Sequence, residues 1–218
     1  MGQKVNPKSF RIGPLYTWSS NWFATKSDYR KFLIQDLQLR KFLFEKLALA
    51  GITDVKIERS INTIKFILHV SRPGVVIGRG GSGIEELKKI ISKKLDFNKK
   101  DGKAPKFELE VVEVKKPDIS ARLIGLRIAD QILKRYPHRR AISQALERAM
   151  TSGAKGVKIV LAGRINGAEI SRTEKYSQGS VPLSTIRSDI DYFENPVLTK
   201  FGYVGIKVWV YKGEKDLK

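Results

Sequence analysis

The chain has no cysteine and only two histidines, His69 and His138, among its 218 residues. Disulfides, thiolate nucleophiles and cysteine metal sites are therefore excluded, and two histidines cannot form a histidine-rich metal cluster. No stretch approaches the roughly twenty apolar residues that a membrane span requires, and residues 1–10 lack the apolar core of a signal peptide. We therefore expect a cytoplasmic protein with no cofactor and no membrane partner.

Acidic residues are also scarce: 22 Asp and Glu face 42 Lys and Arg, which gives a formal net charge of +20. Such an excess is typical of proteins that bind a polyanion. The basic residues are spread along the whole chain, whereas a membrane-surface protein would gather them beside an apolar anchor. The composition therefore favours nucleic acid as the partner.

Hydrophobic periodicity predicts an α/β (α+β) chain with two domains, because helical and strand patterns both occur in each half. Lys115-Lys116-Pro117 marks the boundary, since proline ends a strand there and the periodicity then changes. The N-terminal stretch mixes basic residues with proline and glycine, which disfavour regular structure. We therefore expect a basic arm, two domains and a frayed tail, in that order, over residues 1–27, 28–116, 117–212 and 213–218.

The first domain begins with a helical pattern from Asp28 to Ala50, which Gly51 ends. The next patterns predict a hairpin, a lysine-rich helix and a further strand, at residues 55–70, 82–95 and 107–111. In the second domain, the patterns predict two helices and two strands, at residues 124–132, 138–152, 157–161 and 204–210. A glycine-rich basic connection separates the two strands.

The loop Gly78-Arg79-Gly80-Gly81 is the most informative stretch of the chain. As Gly-x-x-Gly between two helices it matches the KH domain, in which glycines let the backbone approach phosphates and Arg79 adds charge. As Gly-x-Gly-x-x-Gly, with Gly83 as the third glycine, it also matches a dinucleotide-binding fingerprint, although no full buried strand precedes it. A surface turn without a ligand is the third interpretation.

A second basic surface is predicted on the helix that follows Pro137. Arg140 and Arg148 lie eight residues apart on a line roughly opposite the apolar face, and Arg139 precedes them. Acidic residues are nearly absent nearby, so we expect contact with a polyanion. The glycine-rich connection adds cations suited to an irregular RNA backbone. With the arm and the glycine loop included, RNA contacts are expected at Lys4, Arg11, Arg72, Gly78, Arg79, Gly80, Gly81, Lys88, Lys89, Arg164, Arg172 and Lys175.

Several motifs, in one order along nearly the whole chain, resemble the family of bacterial small-subunit ribosomal protein three. They are MGQKVNP at 1–7, RPGVVIG at 72–78, GAKGVK at 153–158, GAEI at 167–170, VPL at 181–183, DIDY at 189–192 and GIKVW at 205–209. This resemblance implies a type II KH domain followed by a family-specific domain of two helices and a mixed β-sheet. It also implies a place in the head of the small ribosomal subunit, at the mRNA entrance.

The resemblance implies partners as well: small-subunit ribosomal RNA, mRNA, and the tenth and fourteenth proteins of the small subunit. In the family, basic residues on the second helix of the C-terminal domain line the mRNA entrance and support unwinding. Arg139 and Arg140 match two of these positions. Ser143 and Gln144 stand at the next two, which are usually basic, and Arg148 extends the Arg140 line by two turns. We therefore expect mRNA contact at Arg139, Arg140 and Arg148.

Two other function classes remain open. A free KH-type RNA chaperone would carry the same basic surfaces without being an integral ribosomal protein. An enzyme would need His69 or His138 beside a carboxylate as acid or base, and neither has an evident acidic neighbour in the sequence. We predict a structural RNA-binding protein that is not an enzyme and takes no small-molecule substrate. The sequence fits a bacterial and an organellar ribosome alike.

Overall fold

A computed structural model describes residues 4–60, 62–94 and 106–215. The chain divides into two compact units, which we name the inserted unit, Trp18–Lys115, and the flanking unit, formed by the described parts of Met1–Thr17 and Lys116–Lys218. Each has its own four-stranded sheet and its own apolar core, so the predicted α/β class is confirmed. No helix among these residues is both long and apolar enough to cross a bilayer.

The inserted unit is a mixed sheet packed against helices. A short helix of the flanking unit, α1 (Pro7–Phe10), precedes it in the chain. The elements of the inserted unit are then β1 (Ser20–Asn21), α2 (Lys26–Lys46), β2 (Ile52–Arg59), β3 (Thr63–Val70), α3 (Pro73–Ile77), α4 (Ser82–Lys94) and β4 (Lys106–Glu113). The sheet order is β1-β2-β3-β4, in which β2 and β3 are antiparallel and the two outer pairs are parallel. The predicted hairpin is confirmed.

Apolar periodicity explains the core of this unit. Leu39 and Leu43 on α2, and Leu47 just after its end, recur every four residues and are buried. A 3-10 turn at Ala48–Ala50 then leads to Gly51, whose φ of 68° is the left-handed conformation that glycine adopts most readily. On β3, every second residue faces the same core and is at most 3% exposed: Ile64, Phe66, Leu68 and Val70.

A buried carboxylate ties the first strands of the inserted unit to α2. Asp36, which is 2% exposed, accepts hydrogen bonds from Trp22 Nε1 at 2.8 Å and from Ser20 Oγ at 3.2 Å. It also forms an ion pair with the guanidinium of Arg59 on β2. A buried charge requires such partners, because an unpaired one would cost several kcal/mol of desolvation. Residues 18–25, predicted as part of the arm, are therefore built into this unit.

The flanking unit places two helices on one face of a second sheet. Its elements after α1 are α5 (Ala121–Leu133), α6 (His138–Thr151), β5 (Gly156–Gly163), β6 (Arg172–Gly179), β7 (Ser188–Thr199) and β8 (Gly202–Glu214). The sheet order is β6-β5-β8-β7, and all three pairings are antiparallel, whereas a mixed sheet was expected. Both helices precede all four strands in the chain, so no helix crosses between strands to make them parallel.

Close contacts fix α5 on this sheet. Asp191 Oδ2, from β7, accepts a hydrogen bond at 3.0 Å from the backbone N–H of Ala121 and so caps the start of α5. A Cβ at Gly125 would lie 2.7 Å from Cδ1 of Phe193, so only glycine lets the helix approach β7 this closely. The cap and the glycine set where α5 lies along the sheet.

The position of Arg11 contradicts the prediction that this residue contacts RNA. Its side chain is fully buried, and its guanidinium donates to the carbonyls of Pro7, Leu183 and Thr185 at 2.9, 3.0 and 2.8 Å. These carbonyls belong to α1 and to the segment before β7, so Arg11 holds the N-terminal segment on the flanking unit. A buried guanidinium with these partners cannot reach a phosphate.

The end of the chain is also more ordered than predicted. Gly213 and Glu214, assigned to a frayed tail, pair with Asp189 and Ser188 in the ladder between β7 and β8. Residues 216–218 of the predicted tail lie outside the described residues. The connection predicted between the two strands of this domain contains β6 and β7.

We predict that Arg11→Ala destabilises the flanking unit by about 3 kcal/mol, because it leaves one buried and two partly buried carbonyls without this donor and removes a buried side chain. Lys8→Ala is the matched control: Lys8 is an exposed cation on α1, and its loss should change stability by less than about 0.5 kcal/mol. Hydrogen exchange of the β7 and β8 amides measures both variants. Equal protection in the two variants would contradict the assigned role of Arg11.

Candidate nucleic-acid interface

The glycine loop connects α3 to α4 and exposes its backbone. Gly78 has φ 71°, and Arg79–Gly81 forms a single 3-10 turn before α4 begins. Gly80 and Gly81 also have positive φ, 62° and 82°, and a Cβ built on either would meet no atom within 4 Å. Their backbone conformation therefore favours glycine, and the space beside them is open to a ligand backbone.

Two further glycine contacts fix the loop between its helices. A Cβ at Gly83 would lie 2.5 Å from the carbonyl oxygen of Val76, and one at Gly78 would lie 3.0 Å from the backbone nitrogen of Gly83. The two helices therefore meet backbone to backbone, anchored by the buried side chains of Val76 and Leu87. A dinucleotide site needs a strand before the first glycine, but α3 occupies that place, so the dinucleotide interpretation is wrong.

The predicted cations of this unit lie at different distances from the loop. Arg79 lies in the loop and is exposed, and its guanidinium has no hydrogen-bond or ion-pair partner among the residues that the structure describes. Arg72 is exposed just before α3. Lys88 and Lys89 are six and seven residues after the first residue of α4, which at a rise of about 1.5 Å per residue is about 9 Å and about 10.5 Å along the helix. The structure therefore brings Arg79, but neither lysine, directly to the loop.

Exposed apolar side chains beside the loop were missed in the sequence. Val75 and Ile77 on α3 are 53% and 38% exposed, while Val76 between them is buried. A run of three apolar residues in a short helix can turn only part of its surface to the core, and this is the signal that could have identified them. Exposed apolar side chains of this kind are a surface on which bases of single-stranded RNA can stack.

The outer face of α6 is cationic. Arg139, Arg140 and Arg148 are all exposed, and the guanidinium of Arg140 lies 5.9 Å from the ring of Tyr136. Within residues 106–215, Arg148 has no ion-pair partner. The opposite face of the helix is buried, as the periodicity predicts, by His138, Ala141, Ile142, Ala145, Leu146 and Ala149.

Glu174 on β6 binds His138 at the start of α6 and also Arg172, and it reaches a further cation through Tyr176. Its carboxylate accepts hydrogen bonds from Tyr176 Oη at 2.5 Å and His138 Nε2 at 2.9 Å, and pairs with Arg172 Nε at 2.9 Å. The hydrogen bond from Tyr176 lowers the pKa of Glu174, and His138 acts in the same direction against the effect of burial. Arg139 in turn lowers the pKa of Tyr176 through a hydrogen bond, although burial raises it overall. His138 therefore has the carboxylate neighbour that the sequence did not reveal.

The other predicted contacts of this unit are exposed at separate places. Arg164 begins the turn after β5, and its Nε donates to the carbonyl of Ala168 at 2.8 Å. Lys175 and Arg172 are three residues apart on β6, so their side chains leave opposite faces of the sheet. Lys4 is exposed before α1. No single surface of the described residues collects all of these cations.

Comparisons with known proteins agree with both units. The KH domain family matches residues 38–119, and the family described as ribosomal protein S3, C-terminal domain, matches residues 128–210. The chain is 44% identical over 215 residues to small ribosomal subunit protein uS3 of Leuconostoc citreum, covering 98% of this chain and 96% of that protein. It is 46% identical over 214 residues to the uS3 proteins of Desulforamulus reducens and Enterococcus faecalis, covering 98% of this chain and 93% and 94% of theirs.

We predict that Arg79→Asp combined with Gly80→Asp weakens binding of the chain to single-stranded RNA, because two carboxylates replace a cation and an open glycine at the loop. Aspartate tolerates the left-handed conformation of Gly80 better than most residues, so the fold should persist. The slope of log affinity against log salt should fall by about 0.7 for each phosphate that the variant no longer neutralises. Ser27→Asp with Lys31→Asp on α2 changes the net charge equally and is the control. Equal weakening in both variants would show a general charge effect without a role for the loop.

A second prediction concerns pH. Since the pKa of Glu174 is lowered in the folded chain, its stabilising effect is complete above its unfolded pKa of about 4.3 and is lost as pH falls through the folded value. Glu174→Gln should therefore destabilise the flanking unit by about 2 kcal/mol near neutral pH and progressively less below pH of about 4. Urea unfolding, read by pulsed hydrogen exchange in β5, measures this. Glu147→Gln, at an exposed position of α6, should show no such trend.

Proposed function

Since the chain belongs to the uS3 family of small ribosomal subunit proteins, we propose that it lies in the head of the small subunit, binds small-subunit rRNA and contacts incoming mRNA at its entrance. Members of this family are structural constituents of the ribosome, and the chain is not an enzyme. The buried ring of His138 has a structural use in this setting, because its bond to Glu174 fixes the start of α6. The cytoplasm is the proposed location of this ribosome.

The outer face of α6 is the observation that carries the mRNA part of this proposal. Three exposed arginines stand on a helix whose opposite face is anchored in the core, so their spacing is set by the helix. An arginine without a carboxylate partner can donate to two oxygens of one phosphate. A strand whose phosphates are bound along Arg140 and Arg148 would be held apart from its complement, which opposes re-pairing of its bases.

The glycine loop supports rRNA contact by the inserted unit. Gly80 and Gly81 leave space for a sugar–phosphate backbone, and Arg79 supplies charge at the same point. The N-terminus of α4 adds backbone N–H groups and a positive dipole end. Such contacts position RNA without reading its sequence, so we propose binding that depends on RNA shape more than on base identity.

Neighbouring head proteins, the tenth and fourteenth of the small subunit, are proposed to cover the sheet face of the flanking unit that α5 and α6 leave open. The register places Tyr192 beside Trp209 on that face, with ring centroids 5.2 Å apart, and Lys158 opposite Trp209. Val160 follows two residues after Lys158 on the same face. Aromatic and apolar side chains on an open sheet face suit contact with protein.

We predict that Arg148→Ala, and separately Arg139→Ala with Arg140→Ala, slow translation through an mRNA hairpin a few-fold. Translation of unstructured mRNA should change little. The arginines would contact phosphates of either mRNA, but only the hairpin mRNA has base pairs whose re-formation they would oppose. Arg187→Ala removes an exposed arginine outside α6 and is the control.

Incorporation is checked by sedimentation at high salt, where each variant should stay at one copy per small subunit. Unchanged hairpin translation with normal incorporation would contradict the mRNA contact. A loosely held, sub-stoichiometric wild-type chain would instead favour the free RNA chaperone.

A further inference from the structure

One end of the flanking unit holds a groove of about 480 Å³, and Arg164 is the one expected RNA contact among the described residues that line it. Three connections form it: the turn between α5 and α6, the turn between β5 and β6, and the turn between β7 and β8. A volume of this size is in the range of cavities that hold a small organic group. The groove is therefore large enough for one nucleotide.

The floor and walls of the groove are apolar. Ile165 and Val204 form buried parts of the lining, at 3% and 2% exposed. Leu133 at the end of α5, and Leu198 and Phe201 at the turn between β7 and β8, also line it and are 53%, 62% and 50% exposed. Large apolar side chains converging from separate turns onto one groove mark a binding surface more strongly than scattered exposed leucines do.

The aromatic wall is held in place. A Cβ at Gly167 would lie 3.0 Å from Cε2 of Phe201, so the ring packs directly on the glycine backbone. Gly167 and the preceding Asn166 both have positive φ, 81° and 56°, which fixes the turn beneath the ring. The Oγ1 of Thr199 donates to the carbonyl of Gly202 at 2.7 Å and closes the turn that carries Phe201. One face of the groove is thus preformed and aromatic.

The rim carries only positive charge. Arg135, Arg164 and Lys200 line the groove, and none of the described residues that line it is acidic. The Nε of Arg164 is held by the carbonyl of Ala168, which leaves its terminal nitrogens for a ligand. Arg135 has a φ of 57°, a conformation that a non-glycine residue adopts only under local constraint. The groove therefore combines a flat apolar wall with three cations.

We propose that this groove receives an unpaired nucleotide of RNA, whose base stacks on Phe201 while the flanking phosphates contact Arg135, Arg164 and Lys200. The inference rests on the proposed function and adds one base-binding site to it. The apolar side chains of an acidic peptide could also pack against the walls of the groove. A peptide with one carboxylate, however, would leave some of the three rim cations without an anionic partner. A nucleotide within a strand brings a phosphate on each side of its base, which matches cations spread around the rim.

A photo-crosslinking experiment tests the site on the wild-type full chain. The probe is a short unstructured RNA with a single 4-thiouridine at its centre, and the crosslinked peptides are identified by mass spectrometry. Crosslinks on residues 133–135 or 198–201 are expected. Binding of the probe without crosslinks in these segments would overturn the groove but leave the proposed function intact. No binding of the probe at all would contradict both.

Variants of Phe201 then separate stacking from general apolar contact. Phe201→Leu keeps apolar bulk but removes the flat ring, so affinity for the probe should fall about tenfold, while Phe201→Trp should retain it. Tyr203→Leu removes an exposed aromatic ring two residues away that does not line the groove, and it should bind like wild type. Equal affinity for Phe201→Leu and wild type would overturn the proposal. If Phe201→Leu bound RNA normally but entered small subunits poorly, the groove would belong to a protein partner.

Discussion

Carboxylates are scarce in this molecule, and each unit depends on a few that are buried or partly buried. Asp36 holds two strands to α2 in the inserted unit, and Asp191 caps α5 in the flanking unit. Asp189, 4% exposed, accepts a hydrogen bond from Tyr16 and pairs with Lys215 at 2.6 Å. Burial alone would raise the pKa of Asp189, but the bonds from Lys215 and Tyr16 lower it overall. The exposed cations of the loop and of α6 have no ion-pair partner among the described residues.

Carboxylates that are mostly buried also fix the positions of some exposed cationic side chains. Glu174 is mostly buried, yet it binds Arg172 directly and reaches Arg139 through the hydroxyl of Tyr176. A guanidinium held in this way loses less conformational freedom when it binds a phosphate than one on a mobile arm does. Arg11 is held in a similar way by backbone carbonyls, but it is buried, whereas Arg172 and Arg139 are exposed.

Sequence patterns identified the elements whose inner faces are apolar and failed where those faces are polar. The helix α6 was predictable because every inward residue after His138 is apolar. The strand β6 was missed because its half-buried positions are Glu174 and Tyr176, which show no apolar alternation. The role of Arg11 was predicted wrongly because the neighbouring prolines and glycines do not indicate whether an arginine binds a phosphate or a backbone carbonyl. Its main partners lie more than 170 residues away, so only the fold could reveal them. The glycine loop was predictable because its conformation depends on local residues alone.

The composition of α6 bears on how such a helix would contact a strand. Arg140 and Arg148 are separated by eight residues, which at the helical rise is about 12 Å, more than the Debye length of about 8 Å at physiological salt. Between them, the exposed residues Ser143 and Gln144 carry no charge, and the exposed Glu147 is acidic. Each arginine is therefore screened from the other and attracts its own phosphate. Such spaced contacts would hold a strand at two points and would leave the nucleotides between them free to advance, whereas an unbroken row of cations would bind every phosphate and resist that movement.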